Sequence, residues 1–351
     1  MVSNLIKNVL KINSENLSDS DESVTELLDP KGNYLISRIA VNISANMIKH
    51  VINNSKAIKN KRPIDIRLET PSPVKFNAYY KIDGDYGNIY VNDSLANTYF
   101  FLSKTRKLLK EYLKSQTTNT KNPSPEVIEE IRELLMWLEH PHGLKLDLSK
   151  SLDLADFSTV GLSEKELYGK VLDEFPELIC MTMFIIAHEY GHMLLYYDEE
   201  LSSQLMSNAR DLIHHLIDLT NIEHPNPKGE KWISELNDKN IFGHWQEEIA
   251  SDIFAIDLCY QIFKNENKYL TGDALAIFAI INKIIELRYP FSGYYEPLRV
   301  DKTYPMSFLR YIMHLSILKN YGWDEKDYRL YRFRIVSLMA DLEENPVLNN
   351  I

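Results

Sequence analysis

Cysteine is scarce: Cys180 and Cys259 are the only two in 351 residues, far apart and each inside an apolar stretch. A disulfide framework is thereby excluded, and buried free thiols in a reducing compartment are expected. The opening MVSNLIKNVLKINSEN places two lysines in a short amphipathic pattern. It lacks the long apolar run and small-residue cleavage site of a secretory signal, so export is not expected. Long hydrophobic runs are missing elsewhere too. The longest, Leu178 to Ala187, ends at a His-Glu pair, well short of the ~20 residues that cross a bilayer. It reads as a buried helix, and no membrane partner is expected. Basic charge is also short, with 39 Lys and Arg against 50 Asp and Glu and a net charge of −11. Such a chain repels phosphate backbones, and its one basic cluster, KAIKNKR at Lys56–Arg62, reads as a solvated loop. Nucleic acid is therefore not an expected partner, and a cytoplasmic location is.

What is present is an ordinary globular composition, 44% hydrophobic and 25% charged, long enough to bury a large core. Helical periodicity marks residues 3–12 and 33–56, and later 94–114, 126–139, 177–197, 202–219, 245–264, 271–287, 305–319 and 327–342. Extended patterns occupy IDIRLE, VKFNAYYKI and NIYV, with a turn at 84–87, and predict a β-hairpin or meander. The polar, proline-containing QTTNTKNPSPE is the best internal boundary. Three parts are expected: a helical segment at 1–60, a strand-containing part at 61–125 and a helical region at 126–351, which can form one integrated domain. The fold class is α+β, mainly α-helical.

Chemistry concentrates in ELICMTMFIIAHEYGHMLLYY at 177–197, apolar on nearly every face except at HEYGH. Two histidines four apart project from one face of a helix, at a spacing that suits one tetrahedral zinc. His188 and His192 are thus candidate ligands. Glu189 falls beside the metal's open position, where a carboxylate can take a proton from water. Chance alone yields HExxH in such a chain on the order of one time in fifty. The buried setting adds weight, because stranded polar side chains in apolar surroundings cost ~1–3 kcal/mol each and a metal removes that conflict.

A third ligand is needed, and HWQEEIASDIFAIDL supplies one. Glu248 and Asp252 are four apart on one face of an otherwise apolar helix, and two like charges there call for a cation. With Glu248 on zinc, Asp252 can accept the second ring N–H of a ligating histidine and fix its tautomer. Glu247 lies off that face and reads as solvated.

HEYGH at 188–192 followed by EIASD at 248–252 resembles the gluzincin clan of zinc peptidases, whose signature is HExxH with a later ExxxD. The interval between the two parts is longer than in thermolysin-like members and closer to the compact gluzincins. Phage-exclusion peptidases of the Lit type and regulatory peptidases of the ImmA/IrrE type both fit the resemblance. It implies a zincin-like metallopeptidase core with a small antiparallel sheet packed on the active-site helix. FNAYYKIDGDYGNIYVNDSL at 76–95 is similar to the family's edge strand, which implies substrate contacts at Asn77 and Ala78. TYPMSFLRY at 303–311 resembles a late Thr-His-Pro…Arg segment. There Tyr304 replaces the histidine, and a phenol can still donate to an oxyanion; Arg310 is a further candidate.

Among the other histidines, His214, His215 and His224 read as solvated, and His140 and His142 lack a partner at metal spacing. His244 lies one turn before Glu248, and His314 one turn after Arg310. The expected activity is hydrolysis of a peptide bond in a protein or peptide substrate, with Zn2+ as cofactor and Glu189 as general base. A metal hydrolase of a non-peptide bond and a zinc-stabilised scaffold that binds a protein partner stand as alternatives.

Overall fold

A computed structural model describes residues 32–56, 64–69, 78–83, 86–92, 171–173, 175–223, 238–265, 267–288 and 307–344, with isolated positions at 58, 59, 105, 108, 125, 126, 128, 129, 169 and 236. The expected helix at 3–12, residues 116–124 of the proline-containing boundary segment, most of the expected helices at 94–114 and 126–139, Asn77, His140, His142, His224 and Tyr304 lie outside them.

In chain order the elements are α1 (Gly32–Asn54), β1 (Ile64–Glu69), β2 (Ala78–Asp83), β3 (Tyr86–Asn92), α2 (Pro176–Tyr197), α3 (Glu199–Glu223), α4 (Lys239–Phe263), α5 (Leu270–Arg288), α6 (Ser307–Asn320) and α7 (Glu325–Glu344). The molecule is thus mainly α with one small sheet, the expected class. Among the described residues, every strand precedes residue 93.

Helix α2 is the axis of the fold. Pro176 in its first turn needs no intrahelical donor, and Glu177 complements the positive end of the helix. From Leu178 to Leu194 every residue except His192 is buried. Helices α1, α3, α4 and α5 and strands β2 and β3 all pack on it. Ser44 of α1 donates to the Ile179 carbonyl at 3.1 Å, and the buried Asp198 after α2 accepts from the Leu201 N–H at 3.2 Å as α3 begins. By length and apolarity α2 could cross a membrane, yet 89% of its most apolar window is buried inside the protein. Its apolar surface is already consumed by packing.

The sheet differs in one respect from a hairpin or meander. Strands β2 and β3 are antiparallel, joined across residues 84–85, but β1 pairs parallel with β3, giving the order β1-β3-β2. β3 is therefore central and β2 lies at the edge. Alternation in IDIRLE shows that one face is buried, but it carries no information on strand direction. The expected turn at 84–87 is also shorter, because Gly87 pairs within β3 between Ile64 and Ile82. A Cβ there would fall 1.6 Å from Met193 Cε of α2. The sheet approaches the central helix too closely for a side chain.

Helix α4 begins six residues before the periodicity suggested. Asp238 is its N-cap, accepting from the Asn240 N–H at 2.8 Å. That first turn, KNIFGH, is too polar and too exposed to show an apolar stripe.

Candidate metal centre

The site forms where α2 crosses α4. Gly191 and Ser251 meet at the crossing: a Cβ on Gly191 would lie 2.9 Å from Ser251 Cα and 3.2 Å from its carbonyl oxygen, both backbone atoms that cannot give way. One glycine and one small residue thus bring the two backbones close enough for short side chains to converge. Above and below the crossing stand His188 and His192 on α2, and Glu248 and Asp252 on α4.

His188 Nε2 and His192 Nε2 are 3.1 Å apart. Glu248 Oε2 is 3.4 Å from the first and its Oε1 3.3 Å from the second. Bonds of about 2.0–2.1 Å from one metal to tetrahedral ligands imply ligand separations of about 3.3–3.4 Å. These three residues thus form a triangle in which each histidine meets a different oxygen of Glu248 at about a tetrahedral edge length, and one donor atom from each lies within 4.8 Å of the others, so they could hold one ion.

Asp252, fully buried, orients the first ligand. Its Oδ1 lies 2.8 Å from His188 Nδ1, so that nitrogen keeps its proton and Nε2 is the one that can give its proton up to face a metal. Arg310 on α6 spans the same carboxylate, Nε donating to Oδ2 at 2.6 Å and Nη2 to Oδ1 at 2.8 Å. It also approaches Glu248 Oε2 at 3.4 Å. His314, one turn along α6, donates from Nε2 to Asp252 Oδ2 at 2.8 Å.

Burial works against charge on both carboxylates of α4, but partners prevail. Hydrogen bonds from His188 and His192, together with Arg310, hold Glu248 well below the usual carboxylate range. Arg310, His314 and His188 do the same for Asp252. Glu189 goes the other way: burial pushes its pKa up to about 7, with His188 and Arg310 only partly restraining the rise. Burial disfavours a charged His188, yet Asp252 and Glu248 outweigh it and raise its pKa to about 10. With neutral histidines, Glu248 and Asp252 against Arg310 leave a net −1, and Glu189 brings this toward −2 as it ionises around pH 7. A divalent cation cancels that charge. Donor chemistry, triangle size and charge all fit one such ion.

The remaining candidates separate clearly. Ala78 opens β2, buried where that strand packs on α2. His244 and Glu247 sit on the exposed side of α4, 4.0 Å from each other and apart from the triangle. His214 and His215 are exposed on α3. Two contributions were not legible beforehand. Tyr80 of β2 stacks on the His192 ring at 5.8 Å and 15°, and His314 joins the Asp252 network. The only sequence signal for His314 is that it and Arg310 repeat, four apart in an apolar helix, the spacing that marks Glu248 and Asp252. Compared with known proteins, the chain matches no family model, no curated protein and no solved structure.

Proposed function

We propose that the protein is a zinc-dependent peptidase, of the gluzincin kind that HEYGH and EIASD resemble, cutting a peptide bond of a protein substrate inside the cell. The observation that carries this reading is Glu189. It is buried beside two metal donors, and among the described residues it forms no ion pair. Burying a carboxylate that the nearby His188, Arg310 and the Tyr80 backbone only partly compensate is unfavourable for the fold, whereas a base with a pKa near 7 suits proton transfer at neutral pH. A scaffold has no use for it.

Two imidazoles and a carboxylate at tetrahedral separations favour zinc. When bound, zinc supplies Lewis acidity, polarising the scissile carbonyl and making water acidic enough to attack it at neutral pH. Glu189 accepts the proton of the attacking water on a carboxylate oxygen and returns it to the departing amine nitrogen. Asp252 holds His188 in the tautomer that leaves Nε2 free, and Arg310, committed to Asp252 and Glu248, keeps both carboxylates in place. An extended substrate adds to the outer edge of β2, where main-chain pairing is indifferent to side-chain sequence. Tyr79 and Tyr80 there are partly exposed. The resembling segment has a histidine where this chain has Tyr304, whose phenol can donate to an oxyanion in its place, and the resemblance gives Asn77 a further main-chain contact.

The test is a comparison of wild type with Glu189→Gln for bound zinc, for peptide cleavage and for new protein N-termini in cells. The expected variant keeps fold and metal and loses cleavage by about 10²–10⁴-fold. Undiminished cellular effect in the variant would replace catalysis by the scaffold reading, and zinc-dependent turnover without any peptide cleavage would point to a non-peptide bond.

A further inference from the structure

His314 is an expensive residue to keep where it is. It is 1% exposed, its ring meets Phe184 edge-on at 5.6 Å, and its Nδ1 is buried with no hydrogen-bond partner among the described residues. An unsatisfied ring nitrogen in an apolar pocket destabilises the fold, and a leucine or phenylalanine would not incur that loss. Among the described residues the ring's one polar contact is Nε2 to Asp252 Oδ2 at 2.8 Å.

Four donors converge on that carboxylate. Oδ1 faces His188 Nδ1 and Arg310 Nη2, while Oδ2 faces Arg310 Nε and His314 Nε2. Arg310 fixes the plane of the carboxylate, as a bidentate guanidinium does. His314 adds a second donor on Oδ2, the oxygen that does not touch His188, and so resists rotation about the bond that carries the carboxylate. A neutral donor also suits the charge count. A lysine or arginine at 314 would instead add a positive charge beside a site that is to hold a cation.

We propose that His314 is a positioning residue of the metal centre: its Nε2–H locks the Asp252 carboxylate, and Asp252 in turn aims the His188 lone pair at the ion. The inference rests on the metal-site reading above but not on peptidase activity.

The experiment measures zinc affinity by chelator competition, and thermal unfolding of the metal-free full-length protein, for wild type, His314→Leu and His314→Gln. Loss of partners beyond the ligands themselves commonly weakens metal affinity by about 10–100-fold. His314→Leu is expected to lose at least about tenfold while its metal-free form unfolds at the wild-type temperature or higher, since the stranded nitrogen is gone. His314→Gln, which offers a neutral N–H at similar reach, should recover much of the affinity. Leucine-variant affinity within twofold of wild type would overturn the proposal. So would affinity and metal-free stability falling together and equally in both variants, which marks a residue of the fold only. If wild type and His192→Ala bind zinc equally poorly, the metal-site reading itself fails, a result distinct from either.

Discussion

At the residue scale, Asp252 shows how one side chain can serve stability and chemistry together. A buried charge is tolerated only when its partners replace water, and four donors do so here. Asp252→Asn keeps the shape but removes the bidentate counter-charge of the Arg310 guanidinium, leaving it only the longer contact to Glu248 at 3.4 Å. Breaking one partner of a buried pair costs about 3–5 kcal/mol, and metal affinity should fall about 10–100-fold as His188 loses its anchor. Denaturant unfolding of the metal-free protein and chelator competition measure the two effects. The carboxylates also set a pH dependence. Glu248 and Asp252 have folded pKa values below their unfolded ones, so their stabilisation is present above about pH 4 and disappears as pH falls further. His188 is raised to about 10, so its contribution is complete below about pH 6.5 and lost as pH rises toward 10. Metal-free protein should therefore be most stable between these limits. Zinc, which must displace the His188 proton, should bind more tightly as pH increases. Thermal unfolding from pH 3 to 10, with and without zinc, checks both directions. Much of this residue-level site was legible in the sequence, because a spacing of four on a helix fixes a shared face whatever surrounds it. His314 and Tyr80 were not, because their parts depend on where α6 and β2 pack against α2.

At the element scale, the decisive event is the approach of α2 to α4. Gly191 and Ser251 look like unremarkable small residues in sequence, and their pairing across a distance of 60 positions (251 − 191) has no local signature. Geometry makes them the contact that sets donor spacing. Gly191→Ala places a methyl group 2.9 Å from Ser251 Cα, so the helices must separate by several tenths of an ångström. Overpacking of this kind costs about 1–3 kcal/mol. The donor triangle, with edges of 3.1–3.4 Å, would widen at the same time. The variant should lose both stability and metal affinity. Ser251→Ala provides the contrast: its hydroxyl is buried without a hydrogen-bond partner among the described residues, and removing it should leave stability unchanged or raise it slightly, with metal binding intact. Equal losses in the two variants would show that the crossing is not set by steric contact at Gly191. Helix ends and strand direction were the least legible elements. The polar start of α4 depends on a cap at Asp238, and the parallel pairing of β1 with β3 depends on partners distant in sequence.

At the scale of the whole molecule, the candidate metal centre lies within the core that holds the helices together. Helix α2 contributes donors and also touches α1, α3, α4, α5 and the sheet, while α6 reaches the same centre through Arg310 and His314. A ligand that binds only the folded state stabilises it by RT ln(1 + [L]/Kd), about 4 kcal/mol at a thousandfold excess over Kd. Because the donors come from α2 and α4, and the residues that orient them from α6, that stabilisation should reach the cooperative unit containing all three helices. Zinc at that excess should raise the unfolding temperature by several degrees and slow hydrogen exchange in α2, α4 and α6 together. His192→Ala should abolish the shift while retaining the metal-free fold, because His192 is partly exposed and its removal leaves the Asp252 network intact. A zinc-induced shift of wild-type size in His192→Ala would place the ion elsewhere. Protection confined to α2 would show that α4 and α6 are not coupled to the ion, contrary to the arrangement of Glu248, Asp252 and Arg310.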